Sequence, residues 1–106
     1  MKPREYYVML ALAGAPRHGQ AIAREVQRLS DEAVRLWPAT LYGTLDELAE
    51  RGWIDEAPEH PSDESEKKRF YILTSAGRRA LAAETDRLST LVKIARSRMR
   101  RSGAVS

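Results

Sequence analysis

Trp37 to Ile54, WPATLYGTLDELAERGWI, is the stretch that most restricts what this chain can fold into. Leu41, Leu45 and Leu48 recur at helical spacing, Pro38 sits where a first-turn proline is tolerated, and Gly52 ends the run before the apolar pair Trp53-Ile54. The pattern predicts a short helix with one buried stripe and a sharp stop. Away from the stripe, the first two turns carry only small or hydroxylated side chains, Ala39, Thr40, Gly43 and Thr44. Acids follow later, at Asp46, Glu47 and Glu50. A helix with so little bulk in its N-terminal half can be pressed against a flat or grooved partner. The same spacing also suits an ordinary core helix with a small-residue outer face.

The flanking sequence gives this helix a setting. Glu5 to Ala13 is apolar nearly all round and predicts a first helix, ended by Gly14 and Pro16. Arg17-His18-Gly19 reads as a turn. Ile22, Val26 and Leu29 then mark a second helix over Gln20 to Leu29, and Ser30 to Leu36 connects it to the third. Two helices, a connection and a third helix outline a helix-turn-helix. Trp53 to Ala57 and Lys68 to Leu73 predict two short strands joined by the polar loop Pro58 to Glu66, a β-hairpin wing whose tip is expected to be poorly ordered.

Thr74 or Ser75 caps a last helix running to Arg101. Its apolar positions Leu81, Leu88, Leu91, Val92, Ala95 and Met99 include steps of seven, four and three, much like a coiled-coil seam. A helix this long cannot bury its whole stripe on so small a domain. A second copy of the chain, in a two-fold dimer, is one cover; the first helix of the same chain is another, and both can hold together. The expected fold is mainly α with a small β-hairpin. A winged helix-turn-helix domain spans residues 1–75, a dimerisation helix 76–101 and a frayed tail 102–106.

Composition narrows the function classes. With 106 residues the chain is one domain, short for an enclosed active site, and no spacing offers a nucleophile with its base, a paired acid or a phosphate-cradling glycine loop. No enzyme activity and no cofactor are expected. Zero cysteines, with His18 and His60 as the two histidines, leave no metal set to assemble and suit a reducing cytoplasm. No apolar run is long enough to cross a bilayer. The apolar N-terminal run reads as a helix of the fold, with a short secretion signal as the competing reading. The net charge is only +3, but it is unevenly spread: Arg87 to Arg101 holds Lys93, Arg96, Arg98 and Arg100 with no acid after Asp86. Such a run suits a polyanion, and it equally suits a solvated face.

Several pieces in order then resemble one family. These are His18-Gly19 before the second helix, Pro38-Ala39-Thr40-Leu41-Tyr42 opening the third, Leu45, Leu48 and Glu50 through Gly52-Trp53-Ile54 closing it, and Arg69-Phe70-Tyr71-Ile72-Leu73-Thr74-Ser75-Ala76-Gly77-Arg78 leading into the last helix. From about Tyr7 to Leu81 the chain resembles the PadR family of bacterial transcriptional regulators, in its subgroup with a single short C-terminal helix. The resemblance implies a winged helix-turn-helix, a homodimer built through the last and first helices, and repression by binding a palindromic operator in double-stranded DNA. It places Thr40 and Tyr42 at the DNA surface and makes Lys67, Lys68 and Arg69 the basic residues of the wing. Two departures stand out. Trp37 replaces the small or hydroxylated residue before the motif's proline, and Gln20 replaces the aromatic that often follows His-Gly. Some relatives bind flat aromatic drugs between tryptophans of the dimer pore, and the last helix here has none. That mode does not carry over, and Trp37 and the apolar first helix are the candidate contacts for a small aromatic effector.

Read as a major-groove helix, the third helix offers Ala39, Thr40, Gly43 and Thr44 for close approach to base edges. Tyr42 and Gln20 are phosphate donors, and Arg17, Lys67, Lys68 and Arg69 are cations that set register. Tyr42 could equally be a half-buried ring under the second helix, and Arg69 an ion-pair partner of a wing carboxylate. Phe70, Ile72, Trp53 and Ile54 are expected in the core, and Glu47 to face away or pair with a cation. The alternative function is a winged-helix protein-interaction module that does not bind DNA, which would account for Asp46, Glu47 and Glu50.

Overall fold

The structure, a computed structural model, describes residues 1–56 and 69–105, with side chains as far as Arg101. The order is α1 (Pro3–Gly14), β1 (Arg17–His18), α2 (Gly19–Leu29), α3 (Pro38–Glu50), β2 (Ile54–Glu56), β3 (Phe70–Leu73) and α4 (Ser75–Val105). Three helices over a small sheet, followed by a long helix, give the winged helix-turn-helix arrangement expected. The wing loop, with Lys67 and Lys68, lies outside the described residues.

The core is built where the stripes meet. Val8, Met9 and Leu12 of α1, Ile22 and Val26 of α2, Leu41, Leu45 and Leu48 of α3, and Ile54, Tyr71, Leu73 and Leu81 form one buried cluster. Leu29, the last member of the α2 stripe, is at 37 % exposure and stays at its edge. The link between α2 and α3 turns sharply. Asp31 and Glu32 take left-handed backbone angles (φ 52° and 70°), and the hydroxyl of the buried Ser30 accepts from the Val34 amide at 2.9 Å. Val34 and Leu36 are thereby returned to the core.

Arg17-His18 departs from the turn read in the sequence. The pair forms a strand, with Arg17 opposite Tyr71 and His18 opposite Phe70, so β3 is the centre of a three-stranded antiparallel sheet ordered β1-β3-β2. Two residues are too few for alternation to show, and only a partner strand makes them β. A second correction follows from β3. Tyr71 and Leu73 are its buried residues, while Phe70 and Ile72, expected in the core, are half-buried on the other face. Trp53 is also only partly buried.

The end of α3 is closed by a Schellman turn, in which Gly52 (φ 76°) supplies the left-handed residue, its amide reaches Ala49 O at 3.0 Å and the Trp53 amide reaches Leu48 O at 3.0 Å. The other end lacks a side-chain cap. Trp37 has extended N-cap angles, makes no capping hydrogen bond and is 70 % exposed. Trp37→Ser is therefore expected to stabilise the fold by about 1 kcal/mol, read as a higher urea midpoint at unchanged slope; an unchanged midpoint would show the N-cap to be satisfied some other way.

Thr74 caps α4. Its Oγ1 accepts from the Gly77 amide at 3.0 Å and donates to Gly52 O at 2.6 Å, while its amide donates to Trp53 O at 3.0 Å. The start of α4 is thus fastened to the turn that ends α3. Its next turns pack on α1: Leu81 is 8 % exposed, and Tyr6 Oη lies 2.7 Å from Thr85 Oγ1. Leu81, expected in the dimer seam, is a core residue instead, because this part of the stripe is covered within the chain. Beyond Leu88 the cover ends. Leu91 and Val92 are each 48 % exposed and Met99 64 %, and Ala95 is exposed between them.

Candidate nucleic-acid interface

The phase of α3 decides which of its residues can touch anything outside the domain. Leu41, Thr44, Leu45 and Leu48 face inward, and Ala39, Thr40, Tyr42, Gly43, Asp46 and Glu47 face solvent. A methyl group added to Gly43 would meet no atom within 4 Å, so its backbone is as open to approach as a helix backbone can be. Thr44 is a correction to the sequence reading. It is 2 % exposed, and its hydroxyl donates to Thr40 O at 2.8 Å, so it cannot reach a groove. At 3.6 residues per turn Thr44 is rotated about 40° from Thr40, nearer than Thr40 to the stripe of Leu41 and Leu48, and threonine is small enough to be drawn inside once its hydroxyl is bonded to the backbone.

Beside this surface lies a cleft of about 500 Å³ lined by His18, Gly19, Gln20, Tyr42, Asp46, Arg69 and Tyr71. It brings Gln20, Tyr42 and Arg69, read far apart in the sequence, to one place. Gln20 is exposed at the start of α2, where main-chain amides lack helical partners. His18 caps that helix, its Nδ1 accepting from the Ala21 amide at 3.3 Å, and its ring meets Phe70 edge-on at 5.7 Å. Tyr42 is 44 % exposed, with its hydroxyl against Gly19, where a Cβ would come within 2.6 Å of the phenolic oxygen. The ring is thus propped on the first turn of α2 and still open to solvent.

Arg69 and Tyr71 close the cleft from the sheet. Arg69 lies 3.4 Å from Glu56 across β2 and β3, the ion pair anticipated with a wing carboxylate. Both partners are largely exposed, so the pair is screened by water and leaves the guanidinium exchangeable. Burial pushes the Tyr71 phenol up, and the hydrogen bond and charge of Arg69 draw it partly back. Tyr71 stays a neutral donor at physiological pH. Arg17 is differently placed from the register-setting cation expected: its Nε donates to Ala11 O at 2.8 Å and its guanidinium approaches Glu25 at 3.8 Å. His18, Gly19, Asp46 and Tyr71 were not among the interface residues read from sequence; Asp46 lies one turn after Tyr42 on α3, and the pairing of β1 with β3 sets His18, Gly19 and Tyr71 beside them.

The cleft and the open half of α3 offer hydroxyls, one amide side chain, one exchangeable cation and the carboxylate of Asp46 on a shallow surface. Such a set can hold phosphates and read groove edges. Among the described residues, no group of three or more His, Cys, Asp or Glu could hold a metal ion, and no helix is long and apolar enough to cross a membrane.

Comparison with known proteins agrees with this geometry. The model of the transcriptional regulator PadR-like family matches residues 8–83. An uncharacterized 37.1 kDa protein in transposon TN4556 of Streptomyces fradiae is 34 % identical over 84 residues, 79 % of this chain and 22 % of that protein. The chain therefore spans about a fifth of the length of the curated relative it matches. Among solved structures, a PadR family transcription regulator from Clostridium difficile is 17 % identical with a TM-score of 0.74, covering 88 % of this chain and 94 % of the other. RosR of H. salinarum is 24 % identical with a TM-score of 0.69, covering 88 % and 76 %. At these identities the two structures establish a shared fold.

Proposed function

The chain belongs to the transcriptional regulator PadR-like family, and from that premise we propose that it is a dimeric repressor that places α3 in the major groove of a palindromic operator. The observation that carries the reading is the open N-terminal half of α3. Ala39, Thr40, Tyr42 and Gly43 are all exposed on one helix, with Gln20 and Arg69 flanking them across a single cleft. Ala39 and Thr40 offer methyl contacts to thymine, Thr40 adds a hydroxyl, and the bare backbone at Gly43 lets the helix axis close on the base edges. Few hydrogen bonds are available, so groove shape supplies much of the specificity. Gln20, Tyr42 and Arg69 hold phosphates, with Lys67 and Lys68 of the wing. Exposed Leu91, Val92, Ala95 and Met99, continuing from Leu88, form the contact with the second copy. The open indole of Trp37, next to this surface in sequence, is the proposed contact for a small aromatic effector; added aromatic compounds should quench its fluorescence, and a flat response would remove Trp37 as the site.

Selection of bound duplexes from a random pool should yield a two-fold symmetric consensus. On that duplex, Lys68→Ala in the dimer should lower the slope of log affinity against log salt by roughly two. Weak binding that does not respond to salt would replace the repressor with a protein-interaction module. Gly43→Ala separates recognition from stability. It should raise stability by about 0.5–1 kcal/mol through helix propensity while weakening operator binding, because the added methyl group stands in open space on the groove-facing side. Equal affinity for both proteins would remove Gly43 from the contact surface.

A further inference from the structure

The cations of this chain are not where its recognition helix is. Six of the 18 Lys and Arg residues and none of the 15 acids lie after Asp86, so residues 1–86 hold 12 cations against 15 acids, a net −3. A winged-helix domain of that sign is repelled by a duplex at long range. The positive charge sits on the second half of α4 instead. Arg87 is engaged by Glu84 at 2.6 Å. Lys93, Arg96, Arg98, Arg100 and Arg101 are exposed, and none of them takes part in an ion pair among the described residues.

Helical phase holds the row Lys93, Ser97 and Arg101 away from the apolar stripe, while Arg98, seven residues after Leu91, lies at its border. Lys93, Ser97 and Arg101 follow one another at intervals of four and, with Ile94 and Arg98, line a shallow groove on α4. At 100° per residue this row lies opposite Leu88, Val92, Ala95 and Met99. When a second copy covers the stripe, Lys93 and Arg101 remain in water and Arg98 stands at the rim of the contact. They also lie on the part of α4 that extends past the cover of α1, in a molecule 61 Å long and only 27 by 23 Å across.

We propose that this outer face of α4 is a second duplex-DNA surface, holding phosphates that flank the operator without reading their sequence. The proposal rests on the repressor reading for the identity of its ligand. The composition of the face favours DNA over a lipid bilayer. A membrane-seated helix needs a broad apolar face beside its cations, whereas here Ile94 alone stands among Lys93, Ser97, Arg98 and Arg101. Cations and hydroxyls on a rigid helix suit a phosphate backbone.

The test compares wild type with a triple variant, Lys93→Gln, Arg98→Gln and Arg101→Gln, on two duplexes. One is the selected operator core, and the other is the same core with about one helical turn (~10 bp) of random sequence on each side. Wild type is expected to bind the flanked duplex at least about tenfold more tightly at low salt, with a steeper salt slope. The triple variant should match wild type on the core, sediment as the same oligomer and lose the flank gain, its slope falling by up to about five if all six side chains of a dimer meet phosphates. A variant that keeps the gain overturns the proposal. So does equal weakening on core and flanked duplex, which would mark a long-range field, or wild-type-only cosedimentation with phosphatidylserine vesicles without a flank gain. Should no operator be selected, the repressor reading fails by itself. Salt-dependent retention of long random duplex by wild type and not by the variant would still support the α4 surface.

Discussion

Gly77→Ala is expected to destabilise the protein by about 3 kcal/mol or more, at the upper end of what overpacking costs. A Cβ at residue 77 would stand 1.9 Å from the carbonyl oxygen of Trp53 and 2.8 Å from its carbon. Neither atom can move aside. The Trp53 amide closes the Schellman turn on Leu48, and its carbonyl accepts from Thr74 at 3.0 Å. Alanine gains about 1 kcal/mol over glycine in helix propensity, too little to offset a clash between backbones. The first turn of α4 must therefore lift off the end of α3, breaking the Thr74 bonds that fix the angle between the domain and its long helix. Thermal melts by circular dichroism read the loss, and a variant melting at or above wild type would mean that the close approach at residue 77 is not maintained in solution. Gly43→Ala is the matched control, since the same substitution in the same kind of element meets nothing there.

Arg51→Met should be the next most damaging, by about 2 kcal/mol at neutral pH. Breaking a buried ion pair from one side typically costs about 3–5 kcal/mol, and the discount reflects the partial exposure of the arginine. Glu5 is 1 % exposed, its carboxylate accepting from the Lys2 amide at 2.8 Å and from Arg51 Nη1 at 3.1 Å. Burial alone would raise its pKa; the Lys2 amide and the Arg51 charge outweigh burial and hold the carboxyl below its ordinary value. In wild type this group therefore contributes stability above its unfolded pKa, about 4.3, and the contribution is lost as pH falls through the depressed folded value. Without Arg51, burial is opposed only by the Lys2 amide and the Lys2 charge, and the folded pKa rises. The deficit of the variant is then largest at neutral pH and shrinks in acid as Glu5 takes up a proton. A residue of about 0.5–1 kcal/mol should persist at low pH, because the Arg51 guanidinium also lies 5.1 Å from the Trp53 ring centroid. Urea unfolding of both proteins between neutral pH and pH ~4 measures this; a deficit independent of pH would assign the whole effect to packing on Trp53.

Both substitutions act at one junction, where the end of α3 meets α1 and the start of α4. Individual parts of it were visible in the chain. Gly52 marked the end of α3, and Thr74 was one of two candidates for the α4 cap. What joins them was not visible, because Glu5 and Arg51 are 46 positions apart and nothing local marks a carboxylate in α1 as the partner of an arginine after α3. Thr44 and Leu81 were misplaced for the same reason. A stripe predicts which residues share a face, but how far the cover over that face reaches is set by the neighbouring elements. Thr44 sits at the margin of the α3 stripe and is enclosed. Leu81 begins a seam that the first helix covers before a second copy can.

The sequence alone determined the elements whose signals are local: the helix periodicities, the Pro38 start and Gly52 stop of α3, the open side of its first turns, and the charge imbalance after Asp86. These follow from steric and hydrophobic rules acting over one or two turns of chain. Tertiary structure alone decided that Arg17 and His18 are a strand, that Gln20, Tyr42 and Arg69 share a cleft, and that Tyr71 rather than Phe70 points inward. It also set where along α4 the cover from α1 ends. Each of these depends on which distant segment supplies the missing hydrogen bonds or apolar surface, and a two-residue strand or a marginal threonine has too little preference of its own to choose.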